Sequence, residues 1–175
     1  NVGDFLLGLG YRLLARAGAL AGPEAGCALL ALMAETHLRL AEGQGAELAW
    51  RRDGPGRLGP RDLVRIYALK TAPAFQAALG AGLVLGSGAA GAPWLEPFCR
   101  HLGVGFQIRN DLEGWQADLA GGRPTLLPLL AEGRAVPAGA DAGLAGRLYT
   151  EWGVFERAAG LRDRCRARAL EEARR

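Results

Sequence analysis

The sequence predicts an all-α fold, antiparallel helices joined by short loops, on three observations. Half of its residues are hydrophobic, yet only 7% are aromatic, and the apolar positions are dominated by Ala and Leu, not by the β-branched and aromatic residues that strands prefer. No stretch alternates apolar and polar residues long enough to read as a strand. Gly and Pro punctuate the apolar runs at intervals suited to helices and turns. A chain of 175 residues fits one domain, residues 1–175, with a substantial core. Part of the Ala and Gly excess reads as the compositional bias of a GC-rich genome.

Taken in order, residues 4–17 form an amphipathic helix with Phe5, Leu6, Leu9, Leu13 and Leu14 on one side. Ala21-Gly22-Pro23-Glu24 is a break. Pro23 is placed to start a second helix through Leu29, Leu30, Met33 and Leu40 towards Gln44. Asp53-Gly54-Pro55-Gly56 with Gly59-Pro60 is a loop, and helix returns near Arg61. Pro73 inside that helix is expected to kink it or free a carbonyl. Residues 77–86 are small and apolar, as suits a helix with close neighbours, and 86–91 turn. Pro93 begins a helix that carries residues 106–115. Gly121-Gly122 and Pro124 interrupt, and 126–130 restart. After a loop at 133–139, two helices are expected at about 142–152 and 155–174.

The formal charge is +3, too mild and too dispersed to point to nucleic acid. The arginines from Arg157 onward alternate with Ala, Leu and Glu as on a solvated helix face. Cys27, Cys99 and Cys165 are odd in number and widely spaced, so neither a zinc site nor a disulfide framework is implied and a reducing cytoplasm is the natural setting. His37 and His101 are isolated and read as packing or surface residues. Charges or glycines break each apolar run, so no membrane span is expected, and no signal peptide is visible.

Three polar signals interrupt the apolar helices. They are Gly43-Gln44 with Glu47, then Lys70-Thr71, then Phe106-Gln107-Ile108-Arg109-Asn110-Asp111-Leu112-Glu113-Gly114. Lys70 is the single lysine among 21 basic residues. In the third signal, Gln107 falls under Asn110 and Asp111 on a helix, and Asn110 falls under Glu113. A carboxylate there is costly to bury unless it is paired or bound to a cation. This face therefore meets solvent or lines a polar cavity. Taken alone, Asp111 and Glu113 read as a solvated helix face, Lys70 and Glu47 as surface residues, Trp115 and Trp152 as core or interface aromatics, and Arg109 as an i,i+4 partner of Glu113.

Together and in this order, the signals resemble the trans-isoprenyl diphosphate synthases, the polyprenyl synthetases that make farnesyl, geranylgeranyl and longer diphosphates. Asn1-Val2-Gly3-Asp4-Phe5-Leu6-Leu7 is similar to the family's Gly-Asp-x-Leu-Leu helix. Gly43-Gln44, Lys70-Thr71 and Phe106-Gln107 resemble its Gly-Gln, Lys-Thr and Phe-Gln elements. Asp118-Leu119 with Gly122-Arg123-Pro124-Thr125-Leu126 resembles its Asp-Leu…Gly-Lys-x-Thr-Leu element.

The resemblance implies a bundle around a central cavity in which Lys70, Thr71 and Gln107 contact an allylic diphosphate. Arg123 stands for the later lysine, with a planar fork in place of a point charge. Asp111 and Asn110 stand in the second Asp-rich motif as Mg²⁺ ligands. It implies a cytoplasmic prenyltransferase that condenses an allylic diphosphate with isopentenyl diphosphate, as a homodimer. Two positions depart from the family's Asp-Asp-x-x-Asp. Asn110 replaces the first aspartate and brings no charge, and Gly114 replaces the third. The family's first Asp-rich motif lies upstream of the Gly-Asp helix, where this chain starts, so either an N-terminal portion precedes Asn1 or the chain is a partial homologue. Two further readings stay open. One is a non-catalytic subunit paired with an active synthase, and the other is a divergent prenyltransferase or terpene cyclase on the same fold.

Overall fold

The computed structural model describes residues 1–53, 59–89, 91–123 and 125–175. Among them there are seven helices and no strand: α1 Val2–Ala21, α2 Pro23–Asp53, α3 Pro60–Ser87, α4 Leu95–Ala120, α5 Leu126–Leu130, α6 Ala142–Glu151 and α7 Val154–Glu172. The all-α expectation holds. Residues 54–58 of the expected loop, and Pro124 of the expected interruption, lie outside the described residues.

Several boundaries differ from the sequence reading, each for a packing reason. α2 does not end near Gln44 but runs on through Gly43 and Gly45 to Asp53. Helix propensity disfavours glycine by about 1 kcal/mol, but tertiary contact requires it here. A Cβ on Gly43 would come within 2.7 Å of the Leu69 carbonyl carbon and the Lys70 nitrogen. α3 is continuous through Pro73. Having no N–H, Pro73 leaves the carbonyl of Leu69, four residues back, without its helical donor, and Leu69 is one of the residues against which Gly43 of α2 packs.

The helices pack as antiparallel neighbours. α1 turns into α2 at Gly22, whose φ of 102° suits glycine. α2 runs against α3, with Leu32 beside Gly80 and Gly43 beside Leu69 and Lys70. Arg39 donates to Gln76 at 3.1 Å along the same seam. α3 runs against α4, where a Cβ on Gly103 would come within 2.7 Å of the Ala72 nitrogen. The two tight glycines thus press on α3 from opposite neighbours at adjoining turns. They fix the segment that carries Lys70 and Thr71.

The principal core lies towards one end and includes Trp50, Leu63, Ile66, Tyr67, Ile108 and Leu127. By length and composition alone α3 is long and apolar enough to cross a membrane, although Lys70, Gly80 and Gly82 interrupt its apolar run as the sequence reading has it. In this fold it packs between α2 and α4. The apolar side expected on α1 is largely uncovered, with Phe5 64% and Leu13 65% exposed. α1 meets α2 instead through small residues, Gly18 against Gly26. About two to three turns further from the Gly22 corner along the same helix pair, Tyr11 Oη and His37 Nδ1 are hydrogen-bonded at 2.8 Å.

Candidate functional site

The register of α2, α3 and α4 brings the polar signals to one place. Lys70 on α3 forms an ion pair with Glu47 on α2. One turn earlier on α3, Tyr67 donates its hydroxyl hydrogen to Asp111 Oδ2 on α4. Gln107, one turn before Asp111, donates from Nε2 to Thr71 Oγ1 at 2.6 Å. A polar cavity of about 200 Å³ lies among these groups, lined by Glu47, Tyr67, Lys70, Gln107, Asn110 and Asp111, with Asp118, Arg123 and Thr125 at its far side.

Of the residues singled out by sequence, Lys70, Gln107, Asn110, Asp111 and Arg123 all line this cavity. Thr71 does not. It is buried behind Gln107 and holds that side chain by the 2.6 Å bond. One amide hydrogen of Gln107 is committed to Thr71, and the other remains for a ligand. Arg123 is 64% exposed and sits 3.6 Å from Asp118. Asn110 is exposed.

Asp111 departs most from its reading as part of a solvated face, because it is only 6% exposed. Its Oδ2 accepts two hydrogen bonds, from Tyr67 and from the Leu126 backbone N–H at 2.8 Å. It therefore ties α3 and the start of α5 to α4. Burial pushes its pKa up from 3.8 to about 6, against the opposing pull of these two donors. The Tyr67 hydroxyl is held far above its usual range by burial first and by the Asp111 charge second. Glu113 and Arg109 behave as read, an exposed i,i+4 pair at 2.7 Å. Glu47, read as surface, is instead the half-buried partner of Lys70.

Two cations, Lys70 and Arg123, thus face three carboxylates, Glu47, Asp111 and Asp118. Each cation already has an acidic neighbour. Such a set does not attract a naked polyanion, but it suits an anion accompanied by divalent cations. No group of three His, Cys, Asp or Glu placed to cage a metal exists among the described residues. The donors that could meet a cation are Asp111 Oδ1, which makes no hydrogen bond among the described residues, the Asn110 amide oxygen and Asp118. Mg²⁺ is usually held by one or two carboxylates with phosphate oxygens and waters. This donor set fits an ion that arrives with a diphosphate. At Gly114 a Cβ would lie 3.6 Å from Asp118 Oδ2, so the Asp118 carboxylate stands beside the place of the family's third aspartate.

Sequence reasoning missed Tyr67 and Trp50. Tyr67 could have been found, since it stands three and four residues before Lys70 and Thr71 and so shares their face. Trp50 follows Glu47 by three on α2, yet no polar pattern marks it. Gln44, part of the Gly-Gln signal, is exposed and does not line the cavity, whereas Gly43 serves the close approach of α2 to α3.

Comparison with known proteins gives the same direction. Residues 1–123 match the polyprenyl synthetase family. No curated protein is detectably similar in sequence. Among solved structures, the chain is similar to a geranylgeranyl pyrophosphate synthetase from the archaeon Geoglobus acetivorans, with a TM-score of 0.85 and 19% identity over 97% of this chain and 57% of that one. It is also similar to the geranylgeranyl pyrophosphate synthetase of Pyrococcus horikoshii, with a TM-score of 0.81 and 21% identity over 98% of this chain and 59% of that one. The chain therefore spans less than two thirds of the length of either structure, and at these identities the likeness is one of fold.

Proposed function

The chain belongs to the polyprenyl synthetase family, and from that premise we propose that it binds an allylic prenyl diphosphate in the Lys70–Gln107 cavity and transfers the prenyl group to isopentenyl diphosphate with Mg²⁺. The observation that supports this reading most is the meeting of Lys70, Gln107, Asn110, Asp111 and Arg123, from three separate segments, around one polar cavity.

In this proposal Lys70 exchanges Glu47 for the diphosphate, and Arg123 exchanges Asp118. Both are charge-assisted contacts that strengthen as negative charge grows on the leaving group. Gln107, fixed by Thr71, donates its remaining amide hydrogen. Asp111 Oδ1, Asn110 and Asp118 would hold the metal, which supplies charge neutralisation that makes the diphosphate a better leaving group. With Asn110 and Gly114 in place of two aspartates, the chain offers two charges fewer than the family's motif, so a higher Mg²⁺ requirement is expected. A homodimer in contact along the uncovered face of α1 and a cytoplasmic setting complete the proposal. The three free cysteines are compatible with that setting.

A second reading, a non-catalytic subunit that supports an active synthase, draws on Asn110 and Gly114 and on the double engagement of Asp111 Oδ2. Incubating the full-length protein with labelled isopentenyl diphosphate, an allylic primer and Mg²⁺ separates the readings. Chain elongation supports the transferase. Elongation only after an active synthase is added supports the subunit. Product from the allylic substrate alone points to a cyclase.

A further inference from the structure

Trp50 forms a wall of the polar cavity and also of a second one, of about 250 Å³, between the last turns of α2, the end of α4 and α5. The second cavity is mainly apolar, bounded by Trp50, Trp115, Leu119, Leu127, Leu129 and Tyr149. Lys70, Gln107 and Asp111 do not line it. Its aromatic walls are fixed in advance. Trp115 meets Tyr149 and Phe155 edge to face at 6.1 and 5.5 Å between centroids. Gly146 leaves room for its ring, where a Cβ would come within 3.1 Å.

Trp50, shared by the two cavities, has an unmet polar demand. Trp50 is only 4% exposed, and its indole N–H is buried with no acceptor among the described residues. A donor left in this state is costly, and buried indole N–H groups ordinarily find a partner. Arg51 and Arg123 also line this cavity, and among the described lining residues Asp118, 3.6 Å from Arg123, is the one carboxylate. Hydrocarbon walls, one orphan donor and a surplus of guanidinium groups together specify a ligand.

We propose that this cavity is a binding site for a planar apolar molecule bearing one anionic acceptor group. The ring system lies among Trp50, Trp115 and Tyr149. The anionic group accepts the Trp50 N–H beside Arg51 and Arg123. The site adjoins the proposed diphosphate cavity, with which it shares Trp50, Asp118, Arg123 and Thr125, but its apolar walls belong to it alone and the inference does not depend on the transferase reading.

Naphthalene-1-sulfonate is a suitable probe, followed through the indole N–H resonances of the four tryptophans in ¹H–¹⁵N spectra of the ¹⁵N-labelled full chain. The Trp50 signal is assigned by its loss in Trp50→Phe. The expected result is a saturable downfield shift of that signal. Trp50→Phe keeps an aromatic wall without the donor and should weaken binding about tenfold or more, the worth of a hydrogen bond to a charged group. Arg51→Gln, an exposed position that leaves the fold undisturbed, should weaken it several-fold and serves as the test if Trp50→Phe does not fold. Lys70→Ala should leave naphthalene-1-sulfonate binding unchanged, which separates this site from the diphosphate cavity. The proposal is overturned if the Trp50 signal does not move or if neither variant alters affinity. It is also overturned if the signal answers to pyrophosphate with Mg²⁺ and not to naphthalene-1-sulfonate.

Discussion

Replacing Tyr67 by Phe tests the claim that Asp111 is a buried carboxylate held by donors from α3 and α5. The substitution keeps the ring in the core and removes one hydrogen bond to Oδ2, leaving the Leu126 N–H at 2.8 Å as the remaining donor. The cost depends on the charge of Asp111. At pH 8, above its pKa of about 6, the lost bond is to a carboxylate and is worth about 1.5–3 kcal/mol. At pH 5 the group is mostly protonated, and the lost bond is neutral, worth about 1 kcal/mol. The wild type carries a related signature. Because the folded pKa lies above 3.8, the protonated form is favoured in the fold, and the difference corresponds to about 3 kcal/mol. That stability is fully present below pH 3.8 and is lost as pH rises through about 6. Removing Tyr67, which lowers the Asp111 pKa, moves the loss to higher pH. Urea unfolding followed by circular dichroism at pH 5 and pH 8, in buffer with EDTA, measures both effects. A larger destabilisation at pH 8 than at pH 5 is expected. Equal losses at the two pH values, or a larger one at pH 5, would refute the reasoning.

Gly103→Ala places a methyl group within 2.7 Å of the Ala72 nitrogen and should destabilise by about 1–3 kcal/mol through overpacking. An unchanged urea midpoint would show that α3 and α4 can part at no cost. Asn110→Asp restores a carboxylate next to Asp111 and should lower the Mg²⁺ concentration for half-maximal pyrophosphate binding several-fold. A rise in that concentration would remove position 110 from the cation's surroundings.

Much of the fold was legible because helices announce themselves. The Pro and Gly breaks at 21–24 and 121–122 fall at real helix ends, and residues 126–130 form α5 as expected. What was not legible is what depends on partners distant in sequence. Gly43 and Gly45 look like helix breakers, and only the approach of Leu69 explains why Gly43 sits inside a helix. The same limit applies at the site. The order of Lys70, Gln107 and Arg123 pointed to one diphosphate site, and the fold sets them round one cavity. Spacing on one helix could not reveal that Thr71 stands behind Gln107, that Glu47 holds Lys70, or that Asp111 is engaged by Tyr67 from another helix. Asp111 and Glu113 are two residues apart, yet one is buried and the other exposed, because α4 turns about 200° between them.

The most direct test of the account is a calorimetric titration of the full-length protein with dimethylallyl diphosphate, with Mg²⁺ and with EDTA, for the wild type, Lys70→Ala and Gln107→Leu. The account expects saturable binding only with Mg²⁺, weakened about tenfold or more by each substitution, in line with the loss of a charge-assisted contact. Binding that survives EDTA, or that neither substitution weakens, would contradict it.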